Sequence, residues 1–203
     1  MKIICVGRNY AAHAKELNNA VEEEPVIFMK PETALIPAKF PFFYPEFSND
    51  IHFETELVIK INRIGKNIAE KFAHRYYDEV SLGIDFTARD LQTKLKTKGL
   101  PWERAKAFDG SAPVGEFVSL KDAGNVSDLH FTLMVNNEVR QKGHTANMIF
   151  SVDKIIAFVS TFVTLKKGDL IFTGTLEGVG PVKPGDHLTA FLGEKQLLSL
   201  EIK

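Results

Sequence analysis

The sequence holds one cysteine, Cys5, so no disulfide can form within the chain and the fold must rest on its core. An excess of either charge is also missing: 25 Lys and Arg stand against 26 Asp and Glu, a formal net charge of -1. That argues against a basic surface for nucleic acid or anionic lipid, although it leaves room for a local cluster. The apolar run near the start, Ile3 to Val6, is roughly half of what a secretory signal needs, and no stretch approaches transmembrane length. A cytoplasmic protein without nucleic-acid or membrane partners is the expectation. Several catalytic signatures are absent too: no Gly-x-Ser-x-Gly elbow, no His-Glu-x-x-His and no phosphate-binding Gly-x-x-x-x-Gly-Lys-Ser/Thr. Cys5 lies in the apolar run and reads as a small core residue rather than a thiolate nucleophile. No linker or internal repeat divides the 203 residues, which predicts a single domain over 1–203.

What is present reads mostly as strand. Ile3–Val6 suits a buried strand, and Asn136-Asn137 separates Phe131-Thr-Leu-Met-Val135 from Glu138-Val-Arg140 as a hairpin turn that tolerates positive φ. Short strands follow at 170–172, 187–192 and 197–202, punctuated by Lys183-Pro-Gly-Asp186 and Gly193-Glu194. Helical spacing occurs over 10–17, 69–77, 87–98 and 152–163, the last with Ser151 as N-cap. The three prolines of 37–45 forbid a helix there, and its aromatics predict a loop packed on the core. With 16 phenylalanines against four tyrosines and one tryptophan, that core is rich in Phe. Strands without a βαβ rhythm place the chain in the α+β class.

Residues 51–61 carry the most information. The odd positions, Ile51, Phe53, Thr55, Leu57, Ile59 and Ile61, are almost all apolar, while the even positions begin His52, Glu54, Glu56. On a strand Glu54 and Glu56 share a face, about 7 Å apart. Like charges that close need water, a base or a cation between them. One reading is a solvated edge strand; the other is a hard divalent cation held by carboxylate oxygens. Asp85 ends an apolar strand just before a helix, where it is either an N-cap or a third oxygen ligand; Thr87 as the cap would free it.

His13 and Glu16 are spaced i,i+3, so on a helix they form either an incidental exposed pair or a carboxylate-oriented general base. His52, His74, His130, His144 and His187 show no metal-ligand spacing. The glycines at 174, 178 and 180 do not match a dinucleotide fingerprint. Their loop reads as a structural turn or as a cradle of N–H groups for an anion.

Four motifs stand in order: Cys5-Val-Gly-Arg-Asn-Tyr-Ala-Ala-His13-Ala-Lys-Glu16; Glu54-Thr-Glu56; Asp85-Phe-Thr-Ala-Arg89-Asp-Leu-Gln92 with Ala105-Lys106-Ala-Phe-Asp109; and Thr173-Gly-Thr-Leu-Glu-Gly-Val-Gly180. Together they resemble the fumarylacetoacetate hydrolase family across essentially the whole chain. Leu100-Pro-Trp-Glu-Arg-Ala-Lys106 and Met148-Ile-Phe-Ser151 are similar to its acylpyruvase and oxaloacetate decarboxylase branch. The resemblance implies a mostly β roll of mixed sheets with flanking helices, and a homodimer. It implies Mg²⁺ or Mn²⁺ on Glu54, Glu56 and Asp85, a His13–Glu16 dyad on a lid, and Lys106 as the active-site lysine. Arg8, Lys30, Arg89, Gln92 and Thr175 match substrate-contacting positions. The implied activity is metal-dependent C–C cleavage of a short 2-oxo acid through a stabilised pyruvate enolate, as acylpyruvate hydrolase or oxaloacetate decarboxylase. A 2-hydroxyhepta-2,4-diene-1,7-dioate isomerase or decarboxylase is the alternative. Two positions depart from the pattern: Ala12 where many members carry Asp, and Leu176 in place of Pro. They bear on lid and loop geometry and hence on substrate preference.

Overall fold

Strand alternation organises the molecule, whose computed structural model describes residues 1–16, 22–37 and 40–203, with the backbone alone at 13–15. The large sheet runs in the order β2 (Val26–Lys30), β1 (Ile3–Gly7), β12 (Leu170–Thr175), β5 (Thr55–Ile61), β6 (Tyr77–Ile84), β8 (Ala112–Val114), β3 (Leu35–Pro37). A further strand, β9 (Val118–Ser119), pairs with β6. β1 pairs with β12 and β3 with β8 in parallel; the other pairs are antiparallel, so the sheet is mixed. An antiparallel sheet follows the order β11 (Glu138–His144), β10 (His130–Val135), β14 (His187–Leu192), β15 (Lys195–Glu201). The third sheet is β13 (Gly180–Pro181), β4 (Ile51–Phe53) and β7 (Thr87–Ala88). The fold is the expected α+β, mostly β.

The single strand expected over 51–61 is two, because the chain changes sheet at Glu54: β4 pairs with β7 and β13, and β5 with β12 and β6. The Asn136-Asn137 turn has φ of 52° and 67°, the left-handed pair that matches the twist of a two-residue hairpin.

The helices are short: α1 (Ala11–Glu16), α2 (Glu70–Ala73), α3 (Arg89–Thr97), α4 (Glu103–Lys106), α5 (Leu120–Ala123) and α6 (Val152–Ser160). Leu17, in the first expected helix, lies outside the described residues. The helix expected over 69–77 gives way to a 3-10 turn at His74–Tyr76, because Tyr77 is already paired with Ile61 in β6. Ser151 caps α6 as expected, its Oγ accepting from Lys154 N at 3.2 Å. Thr87 does not cap α3; it pairs with His52, and the cap position is Ala88. Within 37–45, the described Phe42 is buried and stacks on Phe86 at 4.1 Å between centroids. Among the described residues no helix is long and apolar enough to cross a membrane.

Strand parity divides the apolar residues between the two faces of the large sheet. Leu57, Ile59, Ile61, Val80, Leu82 and Ile84 join the main core with Ile155, Ile156 and Val159 of α6. Val58, Cys5 and Phe172 form a smaller cluster on the other face. That second face carries Glu54, Glu56 and Asp85.

Candidate metal centre

The β5–β6 register places the carboxylates. Thr55 pairs with Ile84 and Glu56 with Gly83, so Glu54 and Asp85 face each other where the ladder runs out, and Asp85 N–H donates to Glu54 O at 2.8 Å. Glu56 stands across from a residue without a side chain. A Cβ on Gly83 would approach Phe172 Cε1 to 2.7 Å and Val58 Cγ2 to 2.8 Å. The result is three buried carboxylates with one oxygen of each lying within 4.8 Å of the others. The solvated-edge reading of Glu54 and Glu56 is therefore overturned: β5 is an interior strand.

Three cations meet these acids. Lys106, the last residue of α4, donates to Glu54 Oε2 at 2.8 Å, Asp85 Oδ2 at 2.6 Å and Thr87 Oγ1 at 2.6 Å. Burial lowers its pKa, but the Asp85 and Glu54 carboxylates outweigh burial and hold it above the ordinary lysine value. It is therefore a cation at neutral pH. Arg89, the first residue of α3, places one guanidinium nitrogen 2.6 Å from Glu54 Oε1 and another 2.7 Å from Gln92 Oε1. Lys30 approaches from behind, 2.8 Å from Asp85 Oδ1. Its ammonium is also surrounded by Phe86 O, Lys106 O, Ser111 O and Ser111 Oγ. Lys30 thus fixes Asp85 from the buried side and does not line the cleft, unlike the substrate contact expected of it.

Among the described residues, Glu56 is the acid of the three for which no ion pair is found. Burial first, then Asp85 and Glu54, push its carboxyl well above the usual range, against the lowering effect of Gly174 N–H and Lys106. Gly174 N–H donates to Glu56 Oε2 at 2.7 Å, and Gly178 N–H donates to Glu16 Oε1 at 3.1 Å. The glycine loop is a cradle of N–H donors, and the groups it holds are the protein's own carboxyls. At Gly174, φ is 101° and a Cβ would come within 2.6 Å of Asn9 Cβ, so glycine is required there.

Arg8, Arg89, Gln92, Lys106 and Thr175 line the cleft together with the three acids. Its open volume is about 40 Å³, enough for an ion or a water. The walls Phe28, Trp102 and Lys106 are shared with a neighbouring pocket of about 380 Å³. The His13 side chain lies outside the described residues. Cys5 is buried, and burial pushes its thiol well up, as befits a core residue.

Sequence reasoning missed Gln141 of β11. Its Oε1 accepts from Thr55 N at 3.0 Å, and its Nε2 donates to Thr175 Oγ1 at 3.1 Å and Leu176 O at 3.0 Å. It ties the glycine loop to the strand that carries the acids, a pairing no local pattern could signal. The histidines also need correction. His130 and His144 are register partners in β10 and β11, their rings stack at 3.9 Å, and with Asp128 they form a second cluster of potential ligands, at the surface. Spacing in sequence hid it, because antiparallel pairing joins residues fourteen apart.

An acidic triad at the end of an inner strand pair, closed by a lysine and a glycine loop, makes a carboxylate-lined candidate site for a metal ion. The chain belongs to the family described as "Fumarylacetoacetate (FAA) hydrolase C-terminal", whose model matches residues 2–202. It is 44% identical over 201 residues to human "Oxaloacetate tautomerase FAHD1, mitochondrial", covering 99% of this chain and 90% of the relative. It is 43% identical over 189 residues to Escherichia coli "Oxaloacetate tautomerase YcgM", covering 93% and 86%. Among solved structures it is similar to fumarylpyruvate hydrolase from Pseudomonas aeruginosa in complex with Mn²⁺ and pyruvate. The TM-score there is 0.93 at 38% identity, covering 100% of this chain and 89% of the other.

Proposed function

We propose that this protein is a divalent-metal-dependent enzyme of short 2-oxo acids, with oxaloacetate the leading substrate. The carrying observation is the buried triad of Glu54, Glu56 and Asp85, three carboxylates whose oxygens lie within 4.8 Å of one another. Such hard oxygen donors suit Mg²⁺ or Mn²⁺, leaving other positions to water and substrate. Burial first, and then the charges of Asp85 and Glu54, raise the pKa of Glu56, and a counter-cation among the three would relieve the repulsion. A dication there supplies a Lewis acid for negative charge gathering on the 2-oxo group, a role worth roughly several kcal/mol.

The chain's own residues divide the remaining work. Keto–enol exchange of oxaloacetate moves a proton between C3 and the C2 oxygen, so it needs an acid and a base. Lys106 is protonated and sits beside the carboxylates, which suits it to be the acid. His13, oriented by Glu16, is assigned as the base. Arg89, Gln92, Thr175 and Arg8 hold the substrate, and Lys30 and Gln141 position Asp85 and the loop. The names of the human and E. coli relatives favour tautomerisation.

Hydrolysis of an acylpyruvate is the second reading, favoured by the P. aeruginosa neighbour. There His13 would activate water against the distal carbonyl, and cleavage of the C–C bond would release a carboxylic acid and the enolate of pyruvate, the enolate that decarboxylation of oxaloacetate also leaves. Decarboxylation of oxaloacetate needs no attack by water.

The test is a panel of oxaloacetate, acetylpyruvate and fumarylpyruvate, each with Mg²⁺ and with chelator. Chelator-sensitive loss of enol absorbance from oxaloacetate is expected, and full activity in a metal-stripped sample sinks the scheme. His13→Ala should impair acylpyruvate hydrolysis more than decarboxylation. We further propose one catalytic domain per chain and a homodimer, for which light scattering should read twice the 22.7 kDa chain mass.

A further inference from the structure

Strand pairing assembles a second donor set that shares no residue with the acidic triad. His130 opens β10 and His144 closes β11, opposite each other in register, and Asp128 stands two residues before His130. One donor atom of each lies within 4.8 Å of the other two. Thr145 N–H donates to Leu129 O at 3.0 Å. The next rung, His130 opposite His144, is therefore a non-hydrogen-bonded pair, the kind whose side chains approach most closely. The two rings stack at 3.9 Å between centroids, and His144 Nε2 is 2.7 Å from Asp128 Oδ1.

The backbone under these side chains is anchored. β10 lies between β11 and β14, and Leu129 N–H donates to Thr145 Oγ1 at 2.8 Å. Asp128 ends a 3-10 turn (Val126–Asp128) in which Asn125 Oδ1 accepts from Ser127 N–H at 3.1 Å. The side chains themselves are open: Asp128 and His130 are exposed and His144 is half-buried. A pocket of about 300 Å³, lined in part by Asp122, Asp128, His130 and Lys195, gives an ion a way in. Tetrahedral zinc holds its ligand atoms roughly 3.4 Å apart. The Asp128–His144 contact has to open by roughly 0.7 Å to meet that spacing, and the stacked rings have to turn their nitrogens towards one another. Rotation of exposed side chains is enough for both.

Donor chemistry separates this cluster from the triad. Three carboxylates suit Mg²⁺ or Mn²⁺, whereas two imidazoles and one carboxylate suit Zn²⁺ or Cu²⁺. We propose that His130, His144 and Asp128 form a zinc-class transition-metal site, with solvent as fourth ligand, that clamps β10 to β11. β11 also carries Gln141, which holds the glycine loop, so the clamp fixes the strand to which that loop is tied. The site stands independently of the 2-oxo-acid reading.

Two measurements on the full chain, in excess Mg²⁺, test it. In calorimetry, wild type should bind Zn²⁺ at a site that His130→Asn and His144→Ala each weaken by roughly 100-fold or more, and Asp128→Asn by roughly tenfold. No zinc site in wild type, or wild-type affinity in both histidine variants, overturns the proposal. In electron paramagnetic resonance, one equivalent of Cu²⁺ should show hyperfine splitting from two nitrogens. Each histidine variant should lose one of them. An unchanged pattern in both variants places the ion on other histidines and overturns the site.

Discussion

Lys106 holds Asp85 through an ammonium–carboxylate contact of 2.6 Å, and the same nitrogen lies 2.8 Å from Glu54. The two acids face each other across adjacent strands, so this one cation relieves their repulsion. Without it, two buried carboxylates would lose their shared partner. Removing one member of a buried ion network typically costs about 3–5 kcal/mol. Lys106→Met should therefore lower the melting temperature of the metal-free protein by on the order of 10 °C. Added Mn²⁺ should raise the melting temperature of the variant more than that of wild type. An unchanged melting temperature in differential scanning calorimetry would show the contact to be unimportant.

Glu54→Gln and Asp85→Asn each replace a charged oxygen donor with an amide. Calorimetric titration of wild type with Mn²⁺ should show one site per chain, and each variant should bind at least about a hundredfold more weakly. Wild-type affinity in either variant would remove that residue from the centre.

Glu56 sets a pH dependence of the metal-free protein. Its carboxyl is pushed up in the fold, chiefly by burial, so the folded state holds this proton more firmly than the unfolded chain. Below the unfolded value both states are protonated and there is no penalty. The penalty grows as pH rises from that value to the folded one, and is complete above it. Glu56→Gln should therefore raise the metal-free melting temperature at pH 7 but hardly at pH 4, while abolishing Mn²⁺ binding. Equal shifts at both pH values would disprove this origin.

Gly174→Ala forces a side chain onto a residue with φ of 101° and into contact with Asn9. It should destabilise by more than about 1 kcal/mol and loosen the N–H donor to Glu56. Urea denaturation reads the first effect, and weaker Mn²⁺ binding the second. A neutral outcome in both would mean the loop adapts without loss.

Much of the strand layout was legible beforehand because it is written in local patterns. The 187–192 strand, the Asn136-Asn137 hairpin and the Ser151 cap depend on alternation, turn residues and one hydroxyl, all within a few positions. Misreadings came where distant pairing overrode local preference. Thr87 reads as a cap but is taken by His52 and Lys106. Residues 74–77 read as helix, but Tyr77 is claimed by Ile61.

The site divides along the same line. That Glu54 and Glu56 share a face follows from the two-residue period of a strand, so the sequence alone determined it. The tertiary structure decided whether that face met water. β5 lies between β12 and β6, and its register brings Asp85 opposite Glu54. The different parts taken by Lys30 and Lys106, and Gln141's hold on the glycine loop, were likewise decided only by folding. Charge type and periodicity are properties of a chain segment; dielectric, register and approach direction are properties of what packs against it. Near-neutral composition could therefore coexist with a centre where three acids and their counter-cations lie within a few ångströms.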